Sequence, residues 1–231
     1  MSQNLSVKTA DGTFNAYVAM PDKLPAPVVV VIQEIFGINA VMRGVADEYA
    51  KQGYIAVCPD LFWRIEPGIE LTDKTDAEWQ KAFGYLQAFD PDKGAQDIQA
   101  TLDAARALPD ATDKAAVVGY CMGGMMTYLA ATRTDGDAFA SFYGAGIDNY
   151  LGEADKISKP LIMHLAGQDE FIPAEAQDKI KAGLKDKADV MIYQYPERNH
   201  AFCRKGGNHY DENDAATANA RTAEFLKQNL G

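Results

Sequence analysis

A mostly parallel β-sheet with helices on both faces, entered through an antiparallel hairpin, is the fold class this sequence predicts. Three observations lead there. Short apolar runs of strand length alternate with segments whose apolar residues recur at helical spacing. Several of those runs are almost continuously apolar, as in strands covered on both faces, rather than alternating. No repeat, low-complexity tract or linker interrupts the 231 residues, so a single domain over residues 1–231 is the expectation.

The elements follow in order. Asp11-Gly12 divides two half-alternating segments, Leu5–Thr9 and Phe14–Met20, which reads as a hairpin. Pro27–Glu34 is an apolar run of buried-strand character. Asn39–Gln52 carries Val41, Val45 and Tyr49 at helical spacing and stops at Gly53. Tyr54–Cys58 is the next strand, closed by Pro59, and a long polar connection containing Pro67-Gly68 covers 59–75. Trp79, Phe83 and Leu86 mark one helix, and Ile98, Leu102 and Ala105 the next, which ends near Pro109. Ala115–Val118 is a short strand and Met122–Thr132 a helix. Strands then fall at Ala138–Tyr143, Pro160–Leu165 and Val190–Tyr195, with a helix starting near Pro173 and a last one over Asn213–Asn229.

Composition narrows the function. Hydrophobic content of 47% and charged content of 24% are ordinary for a globular enzyme. A net charge of −11 argues against nucleic acid or anionic membranes as partners. It also requires that any pocket for an anion supply its own positive field. The longest apolar stretch, around Pro27–Ile32, is too short to span a bilayer, and the N-terminus shows no basic and apolar leader, so a cytoplasmic location is expected. Cys58, Cys121 and Cys203 form neither a disulfide framework nor a zinc spacing, which suits a reducing compartment. Cys58 lies within an apolar strand and reads as a buried, inert thiol.

Cys121 is different. It sits in Gly119-Tyr120-Cys121-Met122-Gly123-Gly124, between a strand and a helix, which is the G-x-S-x-G nucleophile elbow with a thiol in place of the hydroxyl. Asp169, in Gly167-Gln168-Asp169, follows one later strand, and His200, in Arg198-Asn199-His200-Ala201-Phe202, follows another. Nucleophile, acid and base in that order, each at a strand end, is the chain order of α/β-hydrolases. A free thiol is mostly protonated near neutral pH. His200 is therefore expected to accept its proton, Asp169 to hold the imidazole tautomer, and the helix beginning at Met122 to add positive potential at the sulfur. Because thiolate leaves more readily than an amine, esters, lactones or thioesters are better substrates for such a site than peptides. The oxyanion requires two donors, expected from the backbone N–H of Met122 and from Glu34-Ile35-Phe36-Gly37, at the N–H of Ile35. His164, inside a strand, reads as a hydrogen-bonded core histidine, and no metal site is expected from His164, His200 and His209.

The chain resembles the dienelactone hydrolase (carboxymethylenebutenolidase) family. The matching stretches are Gln33–Gly37, Tyr54–Leu61, Gln87-Ala88-Phe89-Asp90, Gly119–Gly124, Phe142-Tyr143-Gly144, Gly167–Asp169 and His200-Ala201-Phe202, spread over about residues 5 to 228. The resemblance implies an α/β-hydrolase fold with no large lid domain. It implies hydrolysis, without a cofactor, of a small enol lactone bearing a carboxylate. Cys121, Asp169 and His200 fall on the family triad. Glu34 falls on the glutamate that contacts the thiol and takes its proton when substrate binds. Arg204 falls on an arginine that binds the substrate carboxylate, a task suited to bidentate guanidinium pairing. Phe36, Tyr143 and Trp79 are expected around the substrate. The family's second carboxylate-binding arginine has no counterpart, Trp79 occupying that region, and the serine after the family histidine is Ala201. Arg64, in the long loop, is the candidate replacement.

Alternatives remain at this stage. A general carboxylesterase of the same fold would need only the triad and a more apolar pocket. A hydrolase-fold binding protein would need no turnover, and a thiol-redox role would pair Cys121 with Cys203. A small-molecule ester or lactone is the expected partner, with no nucleic acid, no membrane and a monomeric state.

Overall fold

The computed structural model describes residues 2–231. The chain resolves into two compact units, Met1–Val117 and Val118–Gly231, with one strand running through the boundary.

In the first unit, β1 (Ser2–Thr9) and β2 (Gly12–Ala19) form the hairpin, paired from Thr9↔Gly12 to Ser2↔Ala19. Gly12, with φ of 152°, turns the chain between them. β3 (Ala26–Ile32) and β4 (Ile55–Pro59) are parallel, with Val28 opposite Ile55 and Val30 opposite Val57. β2 meets β4 antiparallel, giving the strand order β1-β2-β4-β3-β5, where β5 is Ala111–Tyr120. Val28 to Ile32 have no exposed surface, which explains why this strand tolerates no polar alternation.

The helix starts are written in capping chemistry. Asn39 accepts the Met42 N–H to open α1 (Ala40–Lys51). Thr75 Oγ1 accepts the Glu78 N–H and donates to the Glu78 carboxylate at the start of α2 (Asp76–Ala88). Asp90 accepts from Asp92 and Lys93 ahead of Pro91 at the start of α3 (Pro91–Arg106). Ile98, Leu102 and Ala105 of α3 are fully buried, as their spacing predicts. On α1 and α2 the buried face is rotated by about one residue from the expected stripe. Met42, Ala46 and Tyr49 are buried while Val41 and Val45 are half-buried. Ala82 and Tyr85 are buried while Trp79, Phe83 and Leu86 are half-buried. Alanine buries well but weighs little in a pattern of large apolar residues, and that shifts the apparent centre of the stripe.

Residues 59–75, which read as a polar connection, are tightly tied. Asp60 accepts the N–H groups of Phe62 and Gly68. Trp63 and Arg64 both bond the fully buried Asp97 of α3. Gly37 bridges Glu70, and a Cβ on Gly37 would lie 2.0 Å from Ile69 O, so no side chain fits there.

In the second unit, β5 is followed by β6 (Ala138–Phe142), β7 (Leu161–Ala166) and β8 (Val190–Tyr195) in that spatial order. β6–β7 and β7–β8 are parallel, with Phe142 opposite His164 and Ala166 opposite Tyr195, so the segments leaving them emerge on one side. α4 (Met122–Arg133) is buried from Met122 to Thr132. α5 (Ala174–Leu184) and α6 (Glu212–Leu230) complete the unit, α6 capped by Asp211. A 3-10 helix over Ile147–Lys156 has no counterpart in the sequence reading. Only Ile147 and Ala154 are buried within it, too few to show a period.

Beneath the strand ends lies a buried polar chain. His164 is fully buried, with Nδ1 2.9 Å from Tyr195 Oη and Nε2 2.9 Å from Thr222 Oγ1, and Arg221 Nη1 donates to Tyr195 Oη. Burial, and secondarily the charge of Arg221, push His164 down to about 3. In the unfolded chain it titrates near its ordinary value of 6.5. Stability from the neutral imidazole is therefore complete above pH 6.5 and is lost as pH falls from there toward 3. Urea unfolding of wild type and His164→Gln at pH 7 and at pH 4.5 tests this. The wild-type advantage is expected to shrink with a limiting slope of about 1.4 kcal/mol per pH unit. An advantage that does not change with pH would mean that His164 is already charged in the native state.

Among the described residues, no helix is long and apolar enough to cross a membrane. Cys58 is fully buried, and burial pushes its thiol far above the ordinary range, in line with the inert role expected of it.

Candidate active site

The last residues of β5 and the first turn of α4 build the elbow. Cys121 has φ of 58° and ψ of −119°, a left-handed conformation costly for a side chain with a Cβ. Its N–H donates to Phe142 O at 3.1 Å, and its own carbonyl accepts from Gly124 at 2.9 Å and Met125 at 3.3 Å. The turn is compressed by glycine on both sides. A Cβ on Gly119 would lie 2.0 Å from Gly123 O, and one on Gly124 2.4 Å from Phe142 O. Cys121 thus stands at the N-terminus of α4, where the first helical N–H groups lack intrahelical acceptors and the helix dipole is positive.

The segments after β7 and β8 are stitched together. Gly167 N–H donates to Tyr195 O and Gln168 N–H to Arg198 O, each at 2.8 Å. Asp169, 5% exposed, lies 3.0 Å from His200 Nδ1 through each carboxylate oxygen. Its Oδ1 also accepts the Phe171 N–H. Nδ1 of His200 therefore carries the proton facing the carboxylate, leaving Nε2 for exchange. Nε2 is buried without a well-directed hydrogen bond among the described residues, so Cys121 acts on this ring more through charge than through geometry. Burial opposes a charge on the imidazole. The negative charge at Cys121, the hydrogen bonds to Asp169, and the Asp169 charge outweigh it and raise His200 to about 10.

Tyr143 follows β6 at φ of 38°, is 1% exposed, and meets the His200 ring edge-on at 5.2 Å. Phe171, which the sequence reading did not single out, meets the same ring at 4.8 Å and is itself exposed. Its position two residues after Asp169 was the available signal. Arg204 is 8% exposed, and its carbonyl and N–H fold the segment back on Gly207 and Ala201. Cys203 is half-buried beside it and is not in a disulfide.

The remaining expected residues belong to the first unit. Glu34, Ile35 and Phe36 follow β3 and are 2%, 3% and 1% exposed. Trp79 packs edge-on against Phe36 at 4.9 Å and tilted against Phe83 at 5.6 Å, and its indole N–H donates to Asp73 O. Arg64 is tied within the first unit. Its guanidinium pairs with Asp97 and Asp11 and lies 4.3 Å over the Trp63 ring, so its charge serves the loop. Among the described residues no cluster of three or more His, Cys, Asp or Glu is arranged to hold a metal ion.

Comparison with known proteins agrees with this architecture. The family model for the dienelactone hydrolase family matches residues 14–230. A relative from Azospirillum brasilense is 47% identical over 222 residues, 96% of each chain. The carboxymethylenebutenolidase of Pseudomonas putida is 37% identical over 227 residues, 98% of this chain and 96% of that one. A solved chain from Klebsiella pneumoniae superposes with a TM-score of 0.86 at 23% identity, covering 99% and 98% of the two chains, a likeness of fold. The matched length and these identities place the chain in the dienelactone hydrolase family, and it is a hydrolase acting on ester bonds.

Proposed function

We propose that the protein opens a small lactone bearing a carboxylate, of the enol-lactone type, with Cys121 as nucleophile, His200 as base and acid, and Asp169 as the partner of His200. The observation that carries this reading is the two-oxygen grip of Asp169 on His200 Nδ1, with Cys121 at an elbow whose backbone is strained and whose helix dipole favours a thiolate. In this mechanism the Cys121 thiol gives its proton to His200 Nε2 as sulfur attacks the carbonyl carbon. The tetrahedral oxyanion is held by the Met122 N–H and, by the sequence assignment, the Ile35 N–H. Collapse breaks the C–O bond, and His200 returns the proton to the departing oxygen, which stays tethered in the opened acyl chain. Water, deprotonated by His200, then resolves the thioester and frees the thiol. By the family resemblance, Glu34 takes the thiol proton on substrate binding in place of His200 Nε2 where the imidazole is already charged, His200 then giving its own proton to the departing oxygen, and Arg204 is assigned the substrate carboxylate. The same reading has the chain working as a monomer in the cytoplasm.

A second reading has one observation in its favour. Phe36, Trp79 and Phe83 pack as an aromatic cluster where a second carboxylate-binding arginine is absent, which suits neutral esters. The test is kcat/KM for a carboxylate-bearing enol lactone beside its methyl ester, in wild type and Arg204→Ala. The lactonase reading expects a preference for the free acid of ~100-fold or more, about 2.7 kcal/mol, that collapses in the variant. Equal rates on both substrates would assign the site to general ester hydrolysis.

A further inference from the structure

The acid and base segments meet in a short ladder whose outermost rung is a side chain. Gly167 N–H reaches Tyr195 O and Gln168 N–H reaches Arg198 O, backbone to backbone. The next donor, Glu170 N–H, meets no backbone acceptor in that ladder. It donates to Asn199 Oδ1 at 3.0 Å, and the same oxygen accepts the His200 N–H at 2.7 Å. One carboxamide oxygen thus ties the residue after Asp169 to the backbone of His200 itself. The other backbone group of His200 is also held by a side chain, its carbonyl oxygen lying 3.1 Å from His209 Nδ1.

We propose that Asn199 is a positioning residue for the Asp169–His200 pair. The inference rests on the triad reading given above. Asp169 and His200 are 31 residues apart and come from different strands, so their hydrogen bond depends on the spacing of the two segments. Backbone rungs fix that spacing at Gly167 and Gln168, but both lie before Asp169 and could not alone prevent the turn at Asp169–Phe171 from swinging outward. Asn199 closes it from beyond. The acceptor must be short enough to serve the His200 N–H and still reach across to Glu170, which an Asx side chain does and a serine hydroxyl does not.

The test compares wild type, Asn199→Ala, Asn199→Ser, Asn199→Asp and Cys121→Ala on a neutral ester, with a proton spectrum of the downfield His200 Nδ1–H. Asn199→Ala is expected to lose about 10- to 100-fold in kcat with KM within about 2-fold, as small displacements of reacting groups do. Its downfield resonance should move upfield or broaden. Asn199→Asp, which keeps the acceptor, should recover kcat to within about 3-fold of wild type, with the resonance restored. Asn199→Ser, which keeps a polar side chain but cannot span both donors, should fall with the alanine variant and serves if alanine does not fold. If Asn199→Ala and Asn199→Ser keep wild-type kcat and resonance while Cys121→Ala is dead, the role of Asn199 is overturned and the triad stands. If the losses appear in KM, or Asn199→Asp fails to rescue, the residue is not acting by positioning the pair. Activity surviving in Cys121→Ala overturns the triad and the role of Asn199 together.

Discussion

Cys121→Ala is expected to fold as wild type and to lose ester hydrolysis by roughly 10⁴-fold or more, since removing one member of a nucleophile–base unit costs nearly as much as removing all of it. The two halves of this expectation have separate causes. Alanine keeps the Cβ, so the backbone at φ of 58° carries the same penalty and α4 starts in the same place. What disappears is the sulfur, and with it both the acyl acceptor and the charge that holds His200 high. Circular dichroism and thermal melting should overlay wild type, while kcat/KM falls to the level of the donors and the pocket alone. A thioester captured by rapid acid quench and mass spectrometry on wild type, absent from the variant, would place the acyl group on Cys121. Activity within about tenfold of wild type would remove Cys121 from the chemistry, and the triad with it.

Gly119→Ala is expected to cost more than ~3 kcal/mol of stability and to abolish activity even where the protein remains folded. Its Cβ would lie 2.0 Å from Gly123 O, 2.4 Å from Gly123 C and 2.5 Å from Thr127 Oγ1. Two of those atoms are backbone, so no rotamer change relieves the clash. Thr127 Oγ1 is itself bonded to Gly123 O at 2.8 Å, so the first turn of α4 would have to move as a body. α4 is buried on almost every residue and has nowhere to go without opening voids. A melting temperature lower by about 6–12 °C follows for a chain of this size. Gly84→Ala is the control. That glycine lies in α2 with nothing within 4 Å of an added Cβ, so alanine should stabilise by about 0.5–1 kcal/mol through helix propensity alone. If both variants melt together with wild type, the elbow is looser than its geometry says.

The fold was legible in the sequence wherever one physical demand dominated. Val28 to Ile32 had to be buried on both faces and could carry only apolar residues. The caps Asn39, Thr75 and Asp90 went unread, because a short polar side chain before a helix shows its role only once the helix start is fixed. The candidate site was legible for a related reason: strand ends are where the chain leaves the sheet, and Cys121, Asp169 and His200 each follow one. The contributions of Asn199, Phe171 and His209 were not legible, because each depends on which atom of a distant segment a short side chain happens to reach. The pairing of Arg64 was equally hidden. Its loop setting suggested a free cation, but Asp97, 33 positions away, claims it. The 3-10 helix over Ile147–Lys156 left no pattern because so little of it is buried.

Cys121, Tyr143 and Ala201 are the non-glycine residues with positive φ among those described, and they follow β5, β6 and β8 respectively. Left-handed backbone at a residue bearing a Cβ costs on the order of 1–3 kcal/mol each. The second unit therefore holds conformational strain at the ends of three of its four strands, offset by well-packed strands and helices elsewhere. Selection for thermal robustness and selection for turnover pull against each other at these positions. Glycine would ease the backbone at any of the three, and at Cys121 it would take the thiol away. A heat-hardened version of this enzyme would have to gain its stability at sites remote from the strand ends and leave the strained ones as they are.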